Sequence, residues 1–221
     1  MAWLLLSLLG SETTVAWQAT HPVSGRRIAG VMGMGGAEWL ERSERELEEA
    51  PDTALDALDI TEGMTVADIG AGVGYFTERL ARRVGPSGKV YANDIQVGML
   101  NRLRENMRQQ KIGNVTPVLG TATDPRLPAA AMDLVLLVDV YHEFSHPQEM
   151  LRKIRQSLKP DGRLVLLEYK KEDPSVPIRP EHKMSVQEVR MELEPEGFRL
   201  ERAISDLLPR QHILIFRKQT M

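Results

Sequence analysis

The segment best suited to acid–base chemistry is Asp139-Val-Tyr-His-Glu143, which directly follows an apolar run predicted to be a buried strand. An imidazole titrates near neutral pH, so His142 can take a proton from a hydroxyl group that acts as a nucleophile. Tyr141 can orient that nucleophile, and Glu143 can orient His142 or bind a substrate amine. We therefore predict that these three residues are catalytic. The alternatives are a structural hydrogen bond for His142 and a surface position at a helix start for Glu143.

His142 and Glu143 also begin the pattern His-Glu-x-x-His, which ends at His146 and is typical of zinc peptidases when it lies on one helix. Ser145 and Pro147, however, indicate that a helix begins between the two histidines, with residues 145–148 as its capping box. If the helix begins between His142 and His146, the two imidazoles do not lie on the same face of one helix, as a zinc site of this kind requires. We therefore predict no metal site.

A glycine-rich loop, Gly70-Ala-Gly-Val-Gly74, stands between a predicted strand and a predicted helix. Open α/β sheets bind ligands at this position, and glycine lets the backbone approach a ligand closely. A dinucleotide-binding loop needs a third glycine three positions after the second, where this chain has Tyr75. Asp68 precedes the loop; it is poorly placed beside a pyrophosphate but suits a cationic amino-acid ligand, directly or through water. The loop therefore favours a sulfonium ligand over a nicotinamide or flavin.

Asp94 ends the second predicted strand, where an acid can accept hydrogen bonds from both hydroxyls of a ribose. Along the rest of the chain, apolar runs alternate with apolar residues at helical spacing. Strands are predicted at residues 65–68, 89–94, 115–119, 134–138, 163–167, 198–204 and 211–216. Helices are predicted at residues 39–50, 52–58, 75–84 and 186–194, around 100–107 and after residue 145. Strands that alternate with helices predict an α/β fold with parallel pairing and right-handed crossovers.

Three motifs resemble those of class I S-adenosylmethionine-dependent methyltransferases, especially the ubiquinone-biosynthesis-like branch: Asp68-Ile-Gly-Ala-Gly-Val-Gly74, Asp94-Ile95 and Lys159-Pro-Asp-Gly-Arg163. The resemblance covers about residues 52–217. It implies a Rossmann-like, doubly wound α/β fold with a mostly parallel sheet of seven strands. The implied strand order is 3-2-1-4-5-7-6, with the last strand antiparallel. It also implies S-adenosyl-L-methionine as the methyl donor and cofactor.

The predicted cofactor-binding residues come from the glycine loop and from the ends of the strands that follow it. They are Asp68, Gly70, Ala71, Gly72, Tyr75, Asp94, Ile95, Thr121, Ala122, Asp124 and Asp139. Of these, the resemblance implies Asp68, the first two loop glycines, Asp94 and Ile95. Asp139 is expected near the methionine end of the donor.

One position departs from the pattern of the resembling family, in which an acid commonly follows the glycine after strand three and contacts the adenine amine. Here Gly120 is followed by Thr121 and Ala122, and the nearest acid, Asp124, lies farther along the loop. Either Asp124 or backbone groups of this loop make the adenine contact.

A third group of polar residues follows the fifth predicted strand: Glu168, Tyr169, Arg179, His182 and Lys183. Prolines within this segment predict a rigid loop over the carboxyl edge of the sheet. Together with Arg26 and Arg27, the group is suited to binding an anionic substrate. The alternative is a set of solvated loop charges.

We divide the chain into an N-terminal apolar segment (residues 1–20), an arm and helix suited to closing over the donor as a lid (21–51) and a methyltransferase domain (52–221). Residues 3–9 are apolar but far shorter than the ~20 residues that cross a bilayer. They resemble the core of a secretory signal, with Thr14-Val-Ala16 as a cleavage site, yet no Lys or Arg precedes them. We expect a cytoplasmic protein without a transmembrane helix; export is the alternative.

The composition narrows the choice of partners. A formal net charge of −3, without a basic patch, gives no reason to expect binding to nucleic acid. The lack of cysteine excludes disulfides, thiolate zinc sites and cysteine nucleophiles. We expect methyl transfer to a small-molecule acceptor. The alternatives are a protein side chain as acceptor, a donor-binding protein without activity and a nicotinamide-dependent oxidoreductase.

Overall fold

The computed structural model describes residues 19–219 of the chain. The apolar run at residues 3–9 and the predicted cleavage site at residues 14–16 lie outside the described residues. Within the described part, no helix has both the length and the apolar character that crossing a membrane requires.

The arm leads into three short helices, α1 (Ala37–Leu40), α2 (Arg45–Glu49) and α3 (Pro51–Asp56). The prediction of one continuous helix over residues 39–50 is therefore wrong, because residues 41–44 separate α1 from α2. Ala50 has a left-handed φ of 46° directly before Pro51. A proline ring clashes with the helical conformation of the residue before it, which explains why α2 ends here and a new helix begins.

Beyond α3, strands and helices alternate as predicted. The first half contains β1 (Thr65–Ile69), α4 (Tyr75–Val84), β2 (Lys89–Asp94), α5 (Val97–Gln109), β3 (Val115–Leu119) and β4 (Met132–Val138). The second half contains α6 (Pro147–Ser157), β5 (Leu158–Lys170), β6 (Lys183–Met184), α7 (Val186–Leu193), β7 (Phe198–Ile204) and β8 (Gln211–Lys218). The bounds of α4, β2, β3 and β7 are those predicted from the sequence.

The strands form one sheet in the order β3-β2-β1-β4-β5-β8-β7, and the two-residue β6 pairs with the end of β5. Neighbours from β3 to β5 are parallel, whereas β8 is antiparallel to both β5 and β7. With β6 left aside, the predicted order 3-2-1-4-5-7-6 and its antiparallel last strand are confirmed. Parallel pairing brings the carboxyl ends of β1, β2, β4 and β5 to one edge of the sheet.

The strand β5 begins earlier than predicted, at Leu158 rather than Arg163. Met132 pairs with Leu158 and Leu134 pairs with Arg163, so residues 159–162 lie opposite Asp133 alone. Residues 159–162 therefore form a bulge within the strand. Lys159 Nζ closes this bulge with contacts of 2.7 and 2.8 Å to the carboxylate oxygens of Asp133.

The predicted capping box at residues 145–148 is wrong. Helix α6 begins with Pro147 in its first turn and has His146 as its N-cap, without a hydrogen bond from the cap side chain. Proline favours the first helical position, because its fixed φ suits a helix and its missing N–H is not needed there. The cap therefore falls one residue after Ser145, whose Oγ instead contacts Nδ1 of His146 at 3.0 Å. A complete capping box is present at Ser185, which opens α7.

Both faces of the sheet are covered, as in a doubly wound fold. On one face, Val135 and Leu137 of β4 pack in a cluster that includes residues of α6 and α7. On the other face, Leu134 and Leu136 pack in a cluster that includes residues of α3 and α4. Burial on both sides explains the uninterrupted apolar sequence of β4. It also fixes the position of the polar segment that follows this strand.

Candidate functional site

A cavity of about 540 Å³ lies at the carboxyl edge of the sheet. This volume is within the range of small-molecule sites, about 300–1,000 Å³. Its wall includes the glycine loop and the segments that follow β2, β3 and β4. The arm, helices α1 and α2, and the loop that contains residues 177–182 complete the wall.

The glycine loop is held in a shape that other residues cannot adopt without strain. Gly70 and Gly72 have φ angles of 72° and 54°, in the left-handed region. A Cβ atom at Gly70 would approach Cγ2 of Val140 to 2.4 Å, and one at Gly72 would approach Cδ1 of Leu40 to 2.8 Å. The loop therefore presents bare backbone to the cavity, between the end of β4 and helix α1.

Asp94 joins the glycine loop to the end of β2. Its Oδ2 accepts a hydrogen bond from the backbone N–H of Gly72 at 2.9 Å, and its Oδ1 accepts one from the N–H of Gln96 at 2.8 Å. Burial raises the pKa of Asp94, while the Gln96 and Gly72 amides act in the opposite direction. Asp94 and its neighbour Ile95 both line the cavity, as predicted for the residue that faces a ribose.

Asp68, in contrast, lies beneath the loop rather than on the cavity wall. Its Oδ2 accepts a hydrogen bond of 2.6 Å from Oγ1 of Thr77, and only 2% of the residue is exposed. Burial raises the pKa of Asp68 to about 6, against the lowering effect of the Thr77 hydroxyl. The geometry makes Asp68 a support of the loop, which leaves the route through water, not direct contact, for its predicted role.

Two further predicted residues are not brought to the cavity. Ala71 is buried in a small apolar cluster with Leu103 and Met107. Tyr75 points outwards, where its hydroxyl donates to Oε1 of Glu46 at 2.6 Å. Helix geometry explains the second case, because Tyr75 begins α4 and its side chain follows the outer surface of that helix.

The loop after β3 reaches the cavity through Thr121 and Ala122. The nearby Asp124 closes this loop: its N–H donates to Oγ1 of Thr121 at 3.0 Å, and its carbonyl accepts from the N–H of Thr121 at 2.9 Å. The Asp124 carboxylate turns away to Lys153 and to the amide of Arg126. Of the two alternatives for the adenine contact, this geometry favours backbone groups of the loop over the Asp124 carboxylate.

Asp139 lies where β4 ends and has a left-handed φ of 51°. Its Oδ2 accepts a hydrogen bond from Nε2 of Gln211 at 2.7 Å, whereas its buried Oδ1 has no partner within residues 19–219. Burial raises the pKa of Asp139 well above its ordinary value, and the Glu49 and Glu168 carboxylates raise it further. A buried acceptor without a partner, next to other carboxylates, suits a cationic group of a ligand.

His142 and Glu143 lie on a single turn of 3-10 helix, Tyr141–Glu143, and both line the cavity. Glu168 of β5 holds the imidazole: its Oε2 lies 2.6 Å from Nδ1 of His142. The opposite ring nitrogen, Nε2, lies 3.1 Å from Nδ1 of His182. Burial raises the pKa of Glu143 to about 7, although the nearby His142 acts to lower it. The turn therefore concentrates groups that can exchange protons at one side of the cavity.

Tyr141 does not reach the cavity. Its side chain is fully buried in the core, where its ring packs edge-on against Phe144 at a centroid distance of 5.5 Å. Successive side chains on a 3-10 turn point about 120° apart, so His142 facing the cavity directs Tyr141 away from it. The predicted role of Tyr141 in orienting a nucleophile is not supported by this position.

Two residues assigned by sequence to an anionic-substrate site are occupied by the protein itself. Glu168 is fully buried and binds His142, and its Oε1 also accepts from the N–H of Tyr141 at 3.0 Å. Arg26 forms a paired contact with Glu192, at 2.8 and 3.1 Å, and donates to the carbonyl of His142 at 2.9 Å. Neither side chain is free to bind a substrate, so this part of the prediction is wrong. The sequence did contain a sign that Glu168 binds within the protein, since it is a single carboxylate directly after the apolar run of β5.

The comparisons with known proteins agree with this geometry. Residues 60–197 match the family model described as a methyltransferase domain. The ubiquinone/menaquinone biosynthesis C-methyltransferase of Pasteurella multocida is 35% identical over 118 residues, which is 53% of this chain and 44% of that protein. The enzyme of the same name from Escherichia fergusonii is 34% identical over 118 residues, or 53% and 47% of the two chains. This chain thus spans about half the length of the curated relatives it matches.

A solved structure extends the similarity over most of the chain. A SAM-dependent methyltransferase from Aquifex aeolicus is 28% identical, with a TM-score of 0.79. The match covers 84% of this chain and 98% of the other. The fold of this chain therefore belongs to an architecture already seen in a protein of that description.

Proposed function

We propose that this chain, which belongs to the methyltransferase domain family, transfers a methyl group from S-adenosylmethionine to a small-molecule acceptor. One observation carries the proposal: a single cavity brings Asp94 and the glycine loop together with the imidazole of His142. The first pair suits the donor. The imidazole, held by Glu168, suits the removal of a proton from an acceptor.

The donor side of the cavity consists of residues that face a nucleoside and an amino acid: Gly70, Gly72, Asp94, Ile95, Thr121, Ala122 and Asp139. The bound donor supplies an electrophilic methyl group on its sulfonium sulfur. Each oxygen of Asp94 accepts one backbone N–H and keeps a lone pair for a ribose hydroxyl. The partnerless Oδ1 of Asp139 suits the ammonium group of the donor. Between Asp94 and Asp139, the glycine loop has no side chain in the way, so the donor can approach its backbone closely.

The acceptor side consists of His142, Glu143, Glu168 and His182. Glu168 accepts the Nδ1 proton of His142, which puts the lone pair of the imidazole on Nε2. Nδ1 of His182 lies 3.1 Å from this nitrogen, and an acceptor that displaces His182 can give its proton to Nε2. A positioned base contributes roughly 10²–10⁴-fold to the rate. Glu143 lies beside this imidazole and can bind a hydroxyl or amine of the acceptor. Tyr141 has no part in this proposal, because its ring lies in the core.

The arm supports the reaction as a cover over the cavity. Val31 and Met32 line the cavity, and the N–H of Met32 donates to Oε1 of Glu143 at 3.3 Å. The N–H of Ala29 donates to the carbonyl of His142 at 3.1 Å. A covered site excludes water from the reacting groups. We therefore retain the role of a lid for residues 21–51, with the arm anchored to the acceptor side.

Two measurements test this function. S-adenosylhomocysteine should raise the melting temperature of the chain, whereas NAD should not; stabilisation by NAD alone would identify an oxidoreductase instead. A screen with methyl-labelled donor against fractionated metabolites should then label a small molecule, and the His142→Ala variant should not. Label found only in the protein fraction would contradict a small-molecule acceptor.

A further inference from the structure

Two imidazoles and one carboxylate meet on the acceptor side of the cavity. His142 and Glu143 follow β4, and His182 comes from the 3-10 turn Pro180–His182, after β5. One potential ligand atom of each residue lies within 4.8 Å of the other two. The partner of His142 is thus 40 residues away in the sequence, rather than the neighbouring His146 of the His-Glu-x-x-His pattern.

The separation of the two imidazoles is close to that of two ligands on one ion. Two nitrogens that each lie about 2.05 Å from a tetrahedral zinc ion are roughly 3.3 Å apart. Nε2 of His142 and Nδ1 of His182 are 3.1 Å apart. The two nitrogens thus lie at a distance at which both can bind a common cation, once His182 carries its proton on Nε2 and Nδ1 has a lone pair.

Glu168 prepares His142 for this task. Histidines that bind metals almost always donate their other ring N–H to a carboxylate, a carbonyl or water. Glu168 Oε2 lies 2.6 Å from Nδ1 of His142, and its Oε1 is held by the N–H of Tyr141 at 3.0 Å. Because the carboxylate is fixed at both oxygens, the His142 tautomer that carries its lone pair on Nε2 is favoured.

The charge of this wall also favours a cation. Within residues 19–219, Glu143 forms no ion pair with a lysine, arginine or histidine, and its Oε1 accepts only the N–H of Met32. The Asp139 carboxylate lines the same cavity, with its Oδ1 unpartnered. Partly buried carboxylates without cations are costly, and a divalent ion offsets this cost. Imidazole nitrogens select zinc and similar transition metals over magnesium or calcium.

We propose that Nε2 of His142, Nδ1 of His182 and the carboxylate of Glu143 bind one divalent transition-metal ion, with zinc as the first candidate. Three protein ligands leave a fourth position open to the cavity, as in catalytic zinc sites. A hydroxyl or thiol of the acceptor that binds there loses its proton to water, because the ion stabilises the resulting anion. The oxygen or sulfur keeps the electron pair and forms a new bond to the methyl carbon. The bond between this carbon and the sulfonium sulfur breaks, S-adenosylhomocysteine leaves with that electron pair, and no redox change occurs.

The metal would bind the same Nε2 lone pair that acts as the base in the metal-free site. His142 can therefore serve as a metal ligand or as a base, but not as both at once. This inference extends the proposed function by naming the acceptor as a hydroxyl or thiol compound. The binding test itself uses neither donor nor acceptor. Its failure therefore removes the metal and leaves the methyl-transfer proposal untouched.

The test is a titration of the full chain, stripped with a chelator, with Co²⁺, whose visible spectrum reports the ligands around it. One equivalent should bind with a tetrahedral spectrum, and one equivalent of Zn²⁺ should displace it. Glu168→Gln should weaken binding about 10–100-fold, as expected for a partner of a metal-bound histidine. His182→Ala should weaken binding further, because it removes a ligand.

His146→Ala is the matched control, since His146 is exposed and lies in the same segment as His142. This variant should bind Co²⁺ as the unchanged chain does. Absence of stoichiometric binding by the unchanged chain would overturn the proposal. So would full affinity in His182→Ala, or loss of binding in His146→Ala. Melting curves confirm that each variant is folded, and Glu143→Gln replaces His182→Ala if the latter is not.

Discussion

The donor side and the acceptor side of the cavity are built from parts at different distances along the chain. On the donor side, Asp94 binds the amide of Gly72, only 22 residues earlier. On the acceptor side, His142 pairs with Glu168 and His182, 26 and 40 residues later, and Arg26 holds its carbonyl from 116 residues before. The donor side depends on backbone amides, whereas the acceptor side depends on buried ionisable side chains.

This difference has a physical consequence. Backbone amides are present in every sequence, so the donor side needs glycine at two positions and one acid at the end of each of two strands, β2 and β4. A buried histidine and its carboxylate are each costly without the other. The acceptor side therefore tolerates few substitutions, and each of them should disturb either the reaction or the fold. Four variants, taken from the largest expected effect to the smallest, test this contrast.

His142→Ala should lower kcat roughly 10²–10⁴-fold, because it removes the base that we propose for the acceptor. The affinity for S-adenosylhomocysteine, measured by calorimetry, should stay unchanged, because the donor side is formed by other residues. A rate loss below about threefold would make His142 structural. A loss of donor affinity would show that the two sides are not separate.

Arg26→Ala should lower the free energy of unfolding by about 3–5 kcal/mol, because it removes the guanidinium that pairs with both oxygens of the buried Glu192 carboxylate and leaves only Ser24 and His21 beside it. Arg27→Ala is the matched control, since the neighbouring Arg27 is exposed and should change stability by less than about 0.5 kcal/mol. Urea unfolding of both variants provides the comparison. Equal stability of the two variants would contradict a stabilising role for the contact between Arg26 and Glu192.

Asp68 should make the chain less stable as the pH rises from about 4 to about 6. Its pKa is raised to about 6 in the folded chain, from an ordinary value of 3.8, so the folded state binds the proton more tightly in this window. Deprotonation then costs about 3 kcal/mol of folding free energy above pH 6. Asp68→Asn keeps an acceptor for Thr77 and should remove this part of the slope in urea unfolding at a series of pH values. An identical slope in both proteins would contradict the burial effect.

Asp94→Ala should weaken the binding of S-adenosylhomocysteine by about 1.5–3 kcal/mol, the scale of hydrogen bonds to a charged group. Asp124→Ala provides the control within the same region, because its carboxylate faces Lys153 and not the cavity. Calorimetry should find the affinity of that variant unchanged. A larger loss of affinity in Asp124→Ala than in Asp94→Ala would instead place the nucleoside at the loop after β3.

The sequence was sufficient for the parts that short-range patterns determine. The strand order is confirmed, and Gly70, Gly72, Asp94 and Ile95 lie together as expected, because strand ends in a parallel sheet meet at one edge. The residues on either side of this loop were less predictable. Tyr75 belongs to the outer surface of α4 and Asp68 to the layer beneath the loop, and periodicity does not distinguish these positions from the cavity wall.

The acceptor side could not be assembled from the sequence for a different reason. The prolines after β5 predicted a loop over the carboxyl edge of the sheet, and residues 177–179 and 182 do line the cavity there. No local pattern, however, determines that His182 is the residue of this loop that meets His142. Glu168 was recognised as polar at the end of an apolar strand, but its partner lies on another strand end. The start of α6 was predicted one residue too early, with Ser145 as the N-cap. Pro147 takes the first helical position, so the N-cap is His146.

The pair between Arg26 and Glu192 joins residues 166 positions apart, which also sets an order of assembly. Contacts between distant residues form late, because the chain entropy of closing the loop must be overcome first. During synthesis, Arg26 leaves the ribosome long before α7 exists and lacks the Glu192 carboxylate until nearly the whole domain is made. The glycine loop and β2 can meet much earlier. A nascent domain is therefore expected to acquire its nucleoside pocket first and its water-excluding cover last, so that an incomplete chain binds the donor without using it.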